Sequence, residues 1–458
     1  MSSGILERVH DAHSLANLLK AGLIKPNTPL KVVFRDRIYG YDIQQIKNLN
    51  ITHITCESAG GGDFKEISSL RVLKLRFQSN SISLPLELEE LHVDGGYFSL
   101  FDTDLREMKK LKIMEIDRDQ DTQHMPPNLT RLFIKPDFLA TPRDYQIPST
   151  MTDLTFQGTS SHLPSSLTRL HIPDSSDKIS HTFSIREFPL LTDLEIPLLP
   201  PREWRYLKTL PLTRLGIETD GVLVTQLMPS LPESLTSLKL DVGAGMIDFE
   251  PIHLPHLSTL DVDCTNLRLP RTVTDLSVDC ILLKKFPIRV SILVPPELRL
   301  ESLRISSIRG SLESSFEFEG LTSTTLENLK RCEFNNSPRS SPKLITLPKV
   351  TDLRLRTIIG DLNSRYPSVT SLRGVGVVGP VVFPEKLSHL DVEKISAADV
   401  PLGLSSLNFE KIEVPEDYVF TSERWRNIVA QKLVFNKLLK ASTSEQRQQL
   451  EKLVQEAW

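Results

Sequence analysis

The sequence predicts an α/β repeat solenoid: a parallel β-sheet of short repeated units, curved as a horseshoe or arc, with a helical cap at each end. Three observations predict it. One pattern returns along most of the chain, as Leu163-Pro-Ser-Ser-Leu-Thr-Arg-Leu-His-Ile172, Leu231-Pro-Glu-Ser-Leu-Thr-Ser-Leu-Lys-Leu240, Leu269-Pro-Arg-Thr-Val-Thr-Asp-Leu-Ser-Val278 and Phe383-Pro-Glu-Lys-Leu-Ser-His-Leu-Asp-Val392. Leucine dominates the apolar residues while aromatics are only 6%, a balance suited to many small packing units. And 458 residues exceed what one ordinary core serves, so several domains or a repeat array must bury the apolar surface.

Three segments follow: residues 1–44 as an N-terminal helical cap and first strand, 45–415 as the repeat array, and 416–458 as a C-terminal helical cap. In the first, Ser14-Leu-Ala-Asn-Leu-Leu-Lys-Ala-Gly22 reads as a short helix with serine at its cap and glycine near its end. The stretch before Asn27 carries Glu7, Arg8, Asp11 and Lys20, which breaks the apolar run a signal peptide needs.

In the array, the pattern Leu-x-x-Leu-x-Φ, with Φ apolar, places a first apolar residue at 51, 70, 88, 111, 129, 151, 167, 191, 212, 235, 257, 273, 300, 329, 350, 369, 387 and 404, giving eighteen units. Their spacing averages about 21 residues. Leu-x-Φ puts alternate side chains on one face of a short strand, and a lone strand cannot bury that face, so successive units must stack in parallel. Proline just ahead of the strand fixes φ and lacks an N–H, which is tolerated there and costly inside a ladder.

Outward positions repeat as well. Thr130, Thr152, Thr168, Thr192, Thr213, Thr236, Ser258 and Thr274 make a column of hydroxyls expected to satisfy backbone groups or pair across strands. The next column alternates in sign, Arg131, Asp153, Arg169, Asp193 and Arg214, which favours the register by about 0.2 to 1 kcal/mol per pair.

These units resemble the leucine-rich-repeat superfamily over roughly residues 45–415. Their Leu-Pro-x-x-Leu-x-x-Leu wording is similar to the short repeats of bacterial secreted effectors and, more loosely, to FNIP repeats. The resemblance implies a curved scaffold for macromolecular recognition. This chain departs from the pattern three residues after the last strand residue, where Ser175, Gly243, Thr265 and Ile281 replace the usual asparagine or cysteine. No cysteine follows Cys332, so the catalytic-cysteine ligase domain that trails some effector repeats is not expected.

Past the array, Trp425, Ile428, Val429, Leu433, Val434, Leu438 and Leu439 recur at helical spacing, and a further helix follows Ser442 or Thr443. The distance from there to Glu445 or Gln446 is that of a capping box. The segment Asn335-Asn-Ser-Pro-Arg-Ser-Ser-Pro-Lys343 stretches the period and reads as a polar loop bearing Ser337-Pro338 and Ser341-Pro342.

No motif for catalysis, cofactor or metal emerges. Gly374-Val-Gly-Val-Val-Gly379 matches a dinucleotide fingerprint in letters, but no helix pattern follows it, and it reads as a repeat turn. Gly60-Gly-Gly62 lacks the lysine and hydroxyl of a phosphate loop. Cys56 and Cys332 fall on core positions, and Cys264 and Cys280 hold equivalent places without histidine partners. Four scattered cysteines point to a reducing compartment, cytoplasmic or nuclear, and a net charge of −4 gives no global attraction to nucleic acid or membrane.

What remains is the strand face. Asp241, Asp261, Asp263 and Asp279 form an acidic patch, and Arg304, Arg354, Arg356 and Arg373 a basic one. The expected function is a non-enzymatic scaffold that binds a protein partner there. The alternative is the substrate-recognition component of a ubiquitin ligase, although an F-box needs more sequence than the 27 or so residues ahead of the repeats.

Overall fold

The computed structural model describes residues 13–15, 17, 21–22, 27–59, 62–78, 82–95, 104–116, 125–134, 143–144, 146–156, 158–159, 162–173, 183–219, 221–242, 246–279, 289–295, 297–306, 315–319, 328–335, 347, 349–422, 424–425 and 432–457. Cys280 and the Ser337-Pro338 and Ser341-Pro342 pairs lie outside them. The chain divides into an N-terminal body, residues 1–218 with 230–232, and a C-terminal body, residues 219–229 with 233–458.

Each body is a parallel-strand solenoid. In the N-terminal body ten ladder strands run from Leu30–Ile38 to Arg214–Glu218. In the C-terminal body nine run from Ser237–Asp241 to Ser406–Glu413. Seventeen of the eighteen repeats start their strand two residues after the first apolar position, and the repeat at Ile51 starts on it. Leu-x-Φ side chains therefore fall in register: Leu154 pairs with Leu170, Leu170 with Leu194, Leu238 with Leu260 and Leu260 with Leu276. All are buried.

The proline shapes the turn into each strand. Its carbonyl accepts from the N–H of the first apolar residue, as from Leu88 to Pro85 (3.1 Å), Met151 to Pro148 (3.1 Å) and Leu387 to Pro384 (3.0 Å). Where proline is missing, short 3-10 turns at Phe64–Glu66, Leu105–Glu107 and Ile185–Glu187 precede the strand instead.

The hydroxyl column is a second ladder. Thr152 Oγ1 donates to the Thr130 carbonyl (3.1 Å), Thr168 Oγ1 to Thr152 (3.0 Å) and Thr192 Oγ1 to Thr168 (3.1 Å). In the C-terminal body Thr370, Ser388 and Ser405 do the same at 3.3, 3.1 and 2.9 Å. The same carbonyl takes two N–H bonds, for Thr130 from Thr152 (2.9 Å) and Asp153 (3.0 Å). A further rung lies just before the first apolar residue, where Ser69, Thr150 and Ser166 donate to carbonyls of the preceding repeat. Side-chain hydroxyls thus tie each repeat to the one before it at the entry to the strand, at the opposite end from the usual asparagine place.

The last four repeats differ. Their strands, Asp352–Asp361, Ser371–Val382, His389–Ser396 and Ser406–Glu413, run well past Leu-x-Φ. Ile358, Ile395 and Ile412 stand in the usual asparagine place and are buried, so here the row continues as apolar packing. Gly374 to Gly379 lies inside one of these strands, which corrects the expectation of a turn. The reason is steric: Gly374 occupies the Φ position, and a Cβ on it would sit 2.8 Å from the Leu355 carbonyl oxygen and 2.9 Å from Ile358 Cδ1. Ile358 fills the space that a Φ side chain would take, and the chain stays extended, with Gly374 paired to Leu355 and Val392.

Among the described residues the return segments hold only short α-helical turns, Pro201–Trp204 and Val224–Leu227 within the array and Gly40–Ile46 before it. Met246–Asp248, Asn266–Arg268, Arg289–Leu293 and Ser315–Glu319 form a second parallel ribbon, which the sequence reading did not foresee. Ile247, Leu267 and Ile292 point into the core from it.

At the N-terminus the described residues include a helical turn over His13–Leu15 and Asn17, so Ser14 lies inside the turn and does not cap it. Leu15 is buried and Gly22 has φ +73°. At the other end helices span Lys432–Ala441 and Ser444–Ala457. Thr443 and Gln446 form the capping box: Thr443 N–H donates to Gln446 Oε1 (3.0 Å) and Gln446 N–H to Thr443 Oγ1 (3.4 Å). Lys437 donates to the Phe409 carbonyl on the last ladder strand, its ammonium 5.1 Å from the Phe409 ring centroid. Trp425 is fully buried beside Phe420, and its indole N–H donates to Tyr418 Oη (2.9 Å).

Candidate functional site

On the N-terminal body the strand face neutralises its own charges along the run from Glu115 to Arg214. Arg131 lies 3.0 Å from Glu115 and 3.6 Å from Asp153, Arg169 lies 3.1 Å from Asp153 and 3.2 Å from Asp193, and Arg214 lies 3.8 Å from Asp193. Each of Arg131 and Arg169 therefore sits between two carboxylates. One column further along the strand, His92 meets Glu115 (2.7 Å) and His171 meets Glu195 (3.4 Å). This is a register device with its charges satisfied.

In the C-terminal body the four aspartates do not form one open patch. Asp241, Asp263 and Asp279 share a column, while Asp261 stands in the neighbouring column between Lys239 and Ser277. Asp263 is only 7% exposed, so it does not contribute to an acidic patch on the strand face. It is the middle member of its column, flanked in register on both sides, and its own carbonyl is bonded by Val242 N–H (2.9 Å). Asp241 and Asp261 are half-buried, and the side chain of Asp279 lies outside the described residues.

The arginines are better placed. Arg304, Glu333, Arg354, Arg373, Asp391 and Asn408 succeed one another in a single column across six strands. Arg304 and Arg354 flank Glu333 at 3.7 and 3.6 Å. Asn408 donates to Asp391 (3.0 Å). Two residues on, Arg356, Val375, Glu393 and Glu410 make a second column, each following one of the paired residues Leu355, Gly374, Val392 and Phe409.

Between these columns opens a cleft of about 250 Å³, lined by Arg354, Arg356, Arg373, Asp391, Glu393 and Glu410 around Gly374 and Val375. Arg356, Arg373, Glu393 and Glu410 are exposed. None of the four has an ion-pair partner among the described residues. The basic side belongs to the strands Asp352–Asp361 and Ser371–Val382, and the acidic side to the strands His389–Ser396 and Ser406–Glu413. Neighbouring Lys394 is engaged elsewhere, with Glu413 at 2.7 Å, and its hydrogen bond holds that carboxyl below the ordinary range.

The sequence reading named the arginines and missed Asp391, Glu393, Asn408 and Glu410. The signal was present, because these residues continue the two outward columns already traced through Arg354 and Arg356. Two titratable side chains lie buried in this part of the array, Cys332 and Tyr366. Cys332 is buried, and burial pushes its thiol far up, away from the reactive thiolate. Burial likewise pushes Tyr366 up to about 12. Among the described residues no group of histidine, cysteine, aspartate and glutamate side chains could hold a metal ion. No described helix is long and apolar enough to cross a membrane.

No protein-family model matches this chain, and no curated protein does. Among solved structures it is similar to YopM from Yersinia enterocolitica WA-314, at 16% identity over 91% of this chain and 86% of that one, with a TM-score of 0.33. It is also similar to the protein of a TLR13–ssRNA13 complex, at 14% identity over 88% and 83%, with a TM-score of 0.36. A third likeness is to CroV588, described as a circular LRR protein, at 14% identity over 85% and 77%, with a TM-score of 0.27. Overlap this loose fixes neither shape nor function. The assignment rests on this chain's own register: repeats of Leu-x-x-Leu-x-Φ that each deliver one strand to a parallel ladder make its fold a leucine-rich-repeat solenoid.

Proposed function

We propose that this protein is a non-catalytic scaffold that binds a protein partner on the strand face of its C-terminal body. One observation carries the reading. Arg356, Arg373, Glu393 and Glu410 stand exposed around a cleft with no ion-pair partner among the described residues, in contrast to the run from Glu115 to Arg214 on the N-terminal body, whose charges pair within 4 Å. Charges left open on a rigid sheet are available to steer and orient a partner, while charges already neutralised contribute little beyond register. Arg304 and Arg354, held by Glu333, shape the basic side. The half-buried Asp241 and Asp261 are secondary contacts in this reading, and the buried Asp263 is excluded from it.

Affinity capture followed by mass spectrometry tests this. Arg356→Glu with Arg373→Glu, and separately Glu393→Lys with Glu410→Lys, should each remove partners that the parent chain captures, with an unchanged circular dichroism spectrum. Partners retained by both variants would place recognition off this face.

A further inference from the structure

Building on the strand-face reading, we infer that the cleft selects an extended peptide segment carrying an acidic residue, an apolar residue and a basic residue at alternate positions, laid across the strands. Three features lead there. The open charges are ordered by sign, with Arg356 and Arg373 on two adjacent strands and Glu393 and Glu410 on the next two. The middle of the cleft is apolar, with Val375 45% exposed and Gly374 below it. And the distances match an extended chain. Strands about 4.8 Å apart put roughly 14 Å between Arg356 and Glu410, three strands away. An extended peptide covers a similar span, about 13.6 Å, between residues i and i+4 on one face, with i+2 about 7 Å along, between Val375 and Glu393 and nearer the valine.

The alternatives fit less well. A uniformly acidic segment would set carboxylates against Glu393 and Glu410, and a uniformly basic one would set cations against Arg356 and Arg373. Like charges brought together work against binding, so the cleft discriminates by repulsion as well as attraction.

Fluorescence anisotropy on the full chain with three capped, labelled 11-residue peptides provides the test. Their central windows read Glu-Ser-Leu-Ser-Lys, Glu-Ser-Leu-Ser-Glu and Lys-Ser-Leu-Ser-Lys, with serine and glycine elsewhere. The mixed peptide should bind at least about tenfold more tightly than either other, a preference weakened by salt. Glu393→Lys with Glu410→Lys should shift the preference to the Glu/Glu peptide, and Arg356→Glu with Arg373→Glu to the Lys/Lys peptide. Such exchanges also guard against misfolding, since a misfolded chain gains no new specificity. Equal or tighter binding of the Glu/Glu peptide by the parent chain would overturn the inference in favour of a simple basic patch. Binding of none of the three would overturn it too, and if the charge-reversed variants then still lost captured partners, the scaffold reading would stand without it.

Discussion

At the scale of single residues, two kinds of side chain hold neighbouring repeats together, and they differ in magnitude. Leu170 is fully buried between Leu154 and Leu194, so Leu170→Ala removes packing on both sides and leaves a cavity, at a cost of about 2 to 5 kcal/mol. Thr168 contributes one hydroxyl to the Thr152 carbonyl, which keeps two backbone N–H donors when the hydroxyl is gone. Thr168→Val should therefore cost only about 0.5 to 1.5 kcal/mol. Urea unfolding of both variants checks the ordering. If Thr168→Val proved as damaging as Leu170→Ala, the hydroxyl ladder would be a primary determinant of the stack and not a supplement to the apolar rows.

At the scale of elements, the long strand Ser371–Val382 depends on having no side chain at Gly374. Gly374→Val would drive new atoms into the Leu355 carbonyl and Ile358, costing about 1 to 3 kcal/mol through overpacking. Combining it with Ile358→Ala should recover part of that loss, because the alanine vacates the contested space. Lack of any recovery in thermal melts would mean that the carbonyl contact alone sets the penalty. The repeats themselves were legible in the sequence down to the residue, since Leu-x-Φ periodicity is the packing instruction and the proline marks the turn before it. The strand extensions and second ribbon were not. Ile358 and Ile395 read as loop residues when an asparagine is expected there, and three-residue strands such as Met246–Asp248 are too short to show a period. The site was half legible for a related reason. The repeat spacing decides which residues share a face, but the covering of Asp263 and the engagement of Glu333 by two arginines depend on packing between repeats that the spacing does not encode.

At the scale of the whole molecule, a solenoid leaves each terminal strand with one neighbour, and among the described residues Ser406–Glu413 pairs only with His389–Ser396. The helix Lys432–Ala441 lies against that strand, with Lys437 bonded to the Phe409 carbonyl. An unprotected strand offers a row of unmet donors and acceptors that any second chain can extend, and a lysine over it is one of the ways proteins blunt that template. The helix covers that strand, which predicts that removing it opens the strand to a second chain. A chain ended at Phe420 should associate end to end as its concentration rises, toward heterologous and non-closing fibres, while the full chain at the same concentration does not. Sedimentation velocity across a dilution series distinguishes the two, and a truncated chain that sediments as the full one does would show that the last strand tolerates exposure.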